Sequence, residues 1–142
     1  MPPAEGSPVS RTMRPIITLS LLLAAWGIPG AGELAYVCTV EHVYGVSDYG
    51  KLIESELDDE MEGARFAVSR IDGKILGEVL ATPSAESTRV VERGSSTESF
   101  KAIADFGDRF QSLEVQESRD GERKPFVALS MGGPGIVTGA CR

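Results

Sequence analysis

With 142 residues, a formal net charge of −7 and 25% charged side chains, the chain has room for one domain. From Glu33 onward 20 acidic side chains face 12 basic ones, a balance of −8 that repels nucleic-acid phosphate, and no dense basic patch or aromatic-basic interleaving offsets it. Nucleic acid is therefore excluded as a partner, whereas a cationic envelope protein or a polar ligand is admitted.

Residues 1–12 are rich in proline and serine, lack an apolar period, and read as a disordered extension or as an upstream start artefact before Met13. Met13 and Arg14 then precede an apolar run from Ile16 to Ile28, which ends in Pro29-Gly30-Ala31-Gly32. A charged start, an apolar middle and a small-residue exit make 13–32 a signal peptide, cleaved near Ala31 or Gly32. The run is short for a membrane span, so no stable span is expected after cleavage. No cysteine stands at its exit to accept a lipid. The expected location is periplasmic or secreted, with 33–142 forming a single β domain.

Cys38 and Cys141 are the two cysteines, near the ends of that domain. Export favours their oxidation, and a bridge between them would staple the first strand to the last. A two-cysteine metal site lacks supporting ligands nearby, and thiol redox chemistry lacks a C-x-x-C pair.

Tyr36, Cys38, Val40, His42 and Tyr44 alternate with Val37, Thr39, Glu41 and Val43, which predicts a first strand with apolar content on both faces. Asp48-Tyr49-Gly50 supplies a turn, and Leu52-Ile53 begin a short return strand. Six carboxylates lie between Glu54 and Glu62, where Leu57 and Met61 are spaced for one helical turn. Phe66 and Val68 before Asp72-Gly73, with Ile75 and Val79 after, predict a two-residue hairpin that sets Phe66 opposite Val79 and Arg70 opposite Ile75. Thr82 to Thr88 is a polar connector, and Arg89 to Val91 form another short strand.

The stretch from Thr97 to Met131 carries the clearest pattern. Phe100, Ala102, Ala104 and Phe106 share one face, Leu113 and Val115 the next, Phe126 and Ala128 the third. A turn at Gly107-Asp108 sets Phe100 opposite Val115 and Ala102 opposite Leu113. A turn at Asp120-Gly121 sets Val115 opposite Phe126, Leu113 opposite Ala128 and Glu117 opposite Lys124, a charged cross-strand pair. Pro125 belongs near a strand start. Gly132-Gly133-Pro134-Gly135 turns the chain into a closing strand from Ile136 to Cys141. About seven or eight short strands favour an all-β fold, a small antiparallel barrel or strongly curved meander, over the sandwich alternative.

Familiar chemistry is sparse. His42, the sole histidine, has no G-x-S-x-G elbow to serve, and no catalytic residue is assigned. The acidic run matches neither an EF-hand loop nor a His-containing transition-metal site and reads as a hydrated loop, so no metal and no cofactor is expected.

Tyr36-Val37-Cys38, the hairpin Phe66 to Gly73, Gly94-Ser95 to Ser99-Phe100-Lys101, Lys124-Pro125-Phe126 and Thr138-Gly139-Ala140-Cys141 together resemble an uncharacterised family of small exported proteins of Gram-negative bacteria. The early tyrosine-cysteine strand and the β architecture also resemble the periplasmic lysozyme-inhibitor barrels. Those inhibitors use a serine and a lysine on a loop; Ser99 with Lys101 is a pair of the same types here, with no motif to fix the match. The expected function is a non-enzymatic binding module of the envelope, a protein inhibitor being its narrower form. Its candidate contact residues are Arg70, Ser95, Ser96, Ser99 and Lys101, whose cationic and hydroxyl groups suit a polar or acidic ligand. A small hydrolase using His42 or a carboxylate pair and a structural envelope protein are the alternatives.

Overall fold

Alternation of apolar and polar side chains builds one antiparallel sheet, and glycine-bearing turns connect its strands. The structure, a computed structural model, describes residues 34–117 and 119–142; the expected extension at 1–12 and signal peptide at 13–32 lie outside them. The elements are β1 (Ala35–Val46), β2 (Leu52–Glu54), α1 (Asp58–Met61), β3 (Arg65–Ser69), β4 (Ile75–Gly77), β5 (Ser87–Arg93), β6 (Phe100–Asp105), β7 (Phe110–Val115), β8 (Lys124–Ser130) and β9 (Gly135–Cys141). The strands run in the order β4-β3-β1-β9-β8-β7-β6-β5, with β2 added to β1. Strong curvature makes the sheet a half-barrel. Among the described residues no helix is long and apolar enough to cross a membrane.

The meander has the expected registers. Phe100 pairs with Val115 and Ala102 with Leu113, while Val115 pairs with Phe126 and Leu113 with Ala128. These side chains point inward and are buried with Val40, Val43, Val68 and Val137. The Cys38–Cys141 disulfide joins β1 to β9 at directly opposed positions, across a sequence separation of 103. Pro125 sits at the second position of β8, where its missing N–H is tolerated.

Three local expectations are corrected. The β3–β4 connection holds five residues, 70–74, with Val68 paired to Ile75 and Phe66 to Gly77. Ser69 Oγ accepts the N–H groups of Ile71 and Asp72, and Arg70 N–H donates to the Leu34 carbonyl, so Arg70 leaves the ladder and never faces Ile75. In β1 the register slips between Val40 and His42. This bulge moves the inward position to Val43 and turns His42 outward, away from the face of Tyr36, Cys38 and Val40. Gly139 permits it, because a Cβ there would stand 2.1 Å from the Thr39 carbonyl and 2.8 Å from the Phe126 ring. Finally, β7 and β8 part after Gln116; Lys124 Nζ donates to the Glu117 and Arg119 carbonyls instead of pairing with the Glu117 carboxylate.

The connector from 78 to 86 bridges the two sheet edges. Thr82 Oγ1 accepts the Ile75 N–H at 2.9 Å, and the Thr82 N–H donates to the Ile75 carbonyl, so Thr82 is buried at the edge of β4. Leu80 adopts a left-handed φ of 56°, held by its buried side chain and by Gln111 Nε2 donating to its carbonyl at 2.8 Å. Glu86 N–H continues onto the Asp105 carbonyl of β6. Nearby, Gly73 takes a left-handed φ of 75°, where a Cβ would also crowd the Arg89 carbonyl at 3.2 Å and Ala102 Cβ at 3.1 Å. The chain therefore spans the gap that the curved sheet leaves.

Candidate functional site

The antiparallel order sends the start of β1, the β3–β4, β5–β6 and β7–β8 connections and the chain terminus to one end of the half-barrel. We refer to this end as the rim. Tyr36 is its centre. The ring is buried edge-on against Phe100 at 5.2 Å, its hydroxyl donates to the Glu117 carboxylate, and the Arg70 guanidinium lies 4.8 Å from the ring centroid. Burial, followed by the hydrogen bond to the Glu117 carboxylate and its charge, raises the Tyr36 hydroxyl well above the usual phenol range; the Arg70 charge opposes this.

All five expected contact residues lie towards this rim, although they do not form one cluster. Arg70 is half-buried on Tyr36. Ser95 Oγ accepts the N–H groups of Thr97 and Glu98 at 3.2 and 3.1 Å, which commits it to its own turn. Ser96 is exposed at the tip of that loop, and Ser99 is half-buried just before β6. Lys101 stands outward on β6 between Glu92 and Glu114 on the flanking strands. Arg65, Arg123 and Arg142 line a shallow groove of about 530 Å³ together with Glu41, to which Arg123 is paired.

The opposite end carries an arm. Past the bulge, β1 continues into β2 through a turn in which the Gly50 N–H donates to the Ser47 carbonyl at 2.8 Å. Tyr44 pairs with Glu54, Gly45 with Ile53 and Val46 with Leu52. All three residues of β2 are exposed. Tyr49 is 92% exposed, and Val46, Leu52 and Ile53 are each at least half exposed. Thus four large apolar or aromatic side chains project from one hairpin. Beside them run Glu54, Glu56, Asp58, Asp59, Glu60 and Glu62, with no basic residue between Glu54 and Glu62.

Sequence reasoning missed what the bulge brings together here. The imidazole of His42 and the carboxylates of Glu54 and Asp58 have donor atoms all within 4.8 Å of one another. Asp58 is positioned by its second contact, accepting the Val43 N–H at 2.5 Å. The hairpin register was the available signal, because a turn at Asp48-Gly50 sets Glu54 opposite Tyr44, two residues from His42. The residues at the rim that were not foreseen, Tyr36 and Glu117, lie 81 positions apart and carried no local signal.

No protein-family model, curated protein or solved structure matches this chain. The functional reading therefore rests on these surfaces.

Proposed function

We propose that this protein is an exported, non-enzymatic binding module of the envelope, and that it engages a cationic protein partner through the β1–β2 arm. One observation carries the reading. Val46, Tyr49, Leu52 and Ile53 stand exposed on a single hairpin beside six carboxylates between Glu54 and Glu62 with no basic residue among them. Large apolar side chains left exposed together on one hairpin mark an interaction surface, and the aromatic member is of the type that anchors interfaces. The flanking negative charge selects a cationic partner and speeds its encounter. The charged start and apolar run before residue 33 support export.

The narrower form is an inhibitor of a cationic cell-wall hydrolase, in keeping with the resemblance to the lysozyme-inhibitor barrels. The test is affinity capture from envelope extract by the oxidised protein, eluted with a salt gradient, followed by assay of captured hydrolases. Retained proteins should be basic and should leave as salt screens the contact. Capture that is insensitive to salt, or that retains acidic proteins equally, rejects the cationic partner.

A second surface has its own observation. The loop bearing Arg70 and the loop bearing Ser95, Ser96 and Ser99 border the same rim, with Lys101 at its edge. We propose it as the place for a polar or acidic ligand. Alanine replacements at Ser96, Ser99 and Lys101 that preserve the fold and weaken ligand binding would support that assignment; unchanged binding removes it.

A further inference from the structure

We infer that His42, Glu54 and Asp58 form a binding site for one divalent ion of the zinc class. The inference is independent of the partner reading, since it concerns the donor atoms alone. One imidazole nitrogen and two carboxylate oxygens are a zinc donor set, whereas calcium and magnesium prefer oxygen throughout. The three donors come from β1, β2 and the first residue of α1, so the fold assembles them rather than a single acidic run.

Their spacing is close to what coordination requires. Bonds of about 2.1 Å in a tetrahedral shell set the donors roughly 3.4 Å apart. Here all lie within 4.8 Å. His42 and Glu54 are exposed, so rotation of their side chains can close the remaining distance without disturbing the core. Asp58 is the fixed member. One of its oxygens accepts the Val43 N–H, which orients the carboxylate and leaves the other oxygen for the ion, the usual work of an outer-shell hydrogen bond.

The bulge gives the site its nitrogen. In an unbroken β1, His42 would share the inward face of Cys38 and Val40; the slip after Val40 turns it towards Glu54. A bulge that re-aims a side chain is a recurrent device at functional positions. The surrounding carboxylates of Glu56, Asp59, Glu60 and Glu62 add a negative potential that concentrates cations. Competing soft donors are few, because His42 is the chain's sole histidine and both cysteines are held in the disulfide. Three protein ligands leave the fourth position open to water or to a donor from another molecule.

The sole histidine makes the test specific. The untagged, oxidised protein is titrated with zinc chloride, with calorimetry for stoichiometry and the imidazole NMR resonances for location. One zinc per chain should bind, with the His42 ring signals shifting in step. His42→Gln and Glu54→Gln should each lower the affinity at least tenfold, while Glu60→Gln, in the same acidic run, should stay within twofold. Circular dichroism verifies that each variant is folded, and the two replaced side chains are exposed. The site is overturned by ring signals that stay still at saturating zinc, by unchanged affinity in either ligand variant, or by displacement of zinc with an equal concentration of calcium.

Discussion

The two ends of the half-barrel use their side chains in opposite ways. At the rim, groups distant in sequence hold one another: Tyr36 is clasped by Phe100, Glu117 and Arg70, and the disulfide fastens β1 to β9 two residues further along. At the arm, Tyr49, Leu52 and Ile53 touch solvent, and several side-chain polar contacts span only a few residues, such as Lys51 N–H to Ser47 Oγ and Leu57 N–H to Ser55 Oγ. Long-range side-chain ties therefore hold the rim. The arm is left with apolar area that folding does not use, which is what a binding surface requires.

This contrast can be broken by removing what holds the rim. Replacing Cys38 and Cys141 by serine should lower the unfolding free energy by about 4 to 5 kcal/mol, the chain-entropy value for a loop of this size, read from urea denaturation. A loss under about 1 kcal/mol would show that the staple is dispensable. Tyr36→Phe should come next, at about 2 kcal/mol, because it leaves the Glu117 carboxylate without its donor. The same variant sharpens the account through pH. The folded Tyr36 hydroxyl is raised above its ordinary value of 10.0, so its contribution is complete below that pH and is lost as pH rises above it, where the unfolded chain gives up its proton first. Alkaline unfolding curves of Tyr36→Phe should therefore be flatter above pH 10 than those of the parent protein. Arg70→Ala should cost least at this end, about 0.5 to 1 kcal/mol, the worth of a cation over an aromatic ring near solvent.

The sequence made the meander legible because its evidence is local. Period-two alternation and the turns at Gly107-Asp108 and Asp120-Gly121 together set Phe100 against Val115 and Val115 against Phe126, without reference to any other strand. Elsewhere, local signals lost to distant partners. Asp72-Gly73 is a good two-residue turn, yet Ser69 Oγ and the Leu34 carbonyl draw the chain into a five-residue loop and release Arg70 onto Tyr36. The bulge in β1 depends on the close approach of Gly139 from β9, so nothing within β1 announces that His42 turns outward. Thr82 looked like part of a polar connector because its burial comes from the backbone of Ile75, a few residues earlier but on a strand edge. The candidate sites followed the same rule. Ser95, Ser96, Ser99 and Lys101 were readable as polar groups around a strand entrance, whereas the company of His42 required the register of β1 with β2.

The most direct test of the arm as the working surface is the double variant Leu52→Ser/Ile53→Ser, measured in parallel for urea stability and for retention of basic envelope proteins. Both side chains are exposed, and the net charge is unchanged. The unfolding free energy should change by no more than about 0.5 kcal/mol, as for exposed positions generally, while retention falls at least tenfold. Retention equal to that of the parent protein, with the fold intact, would contradict the arm's role.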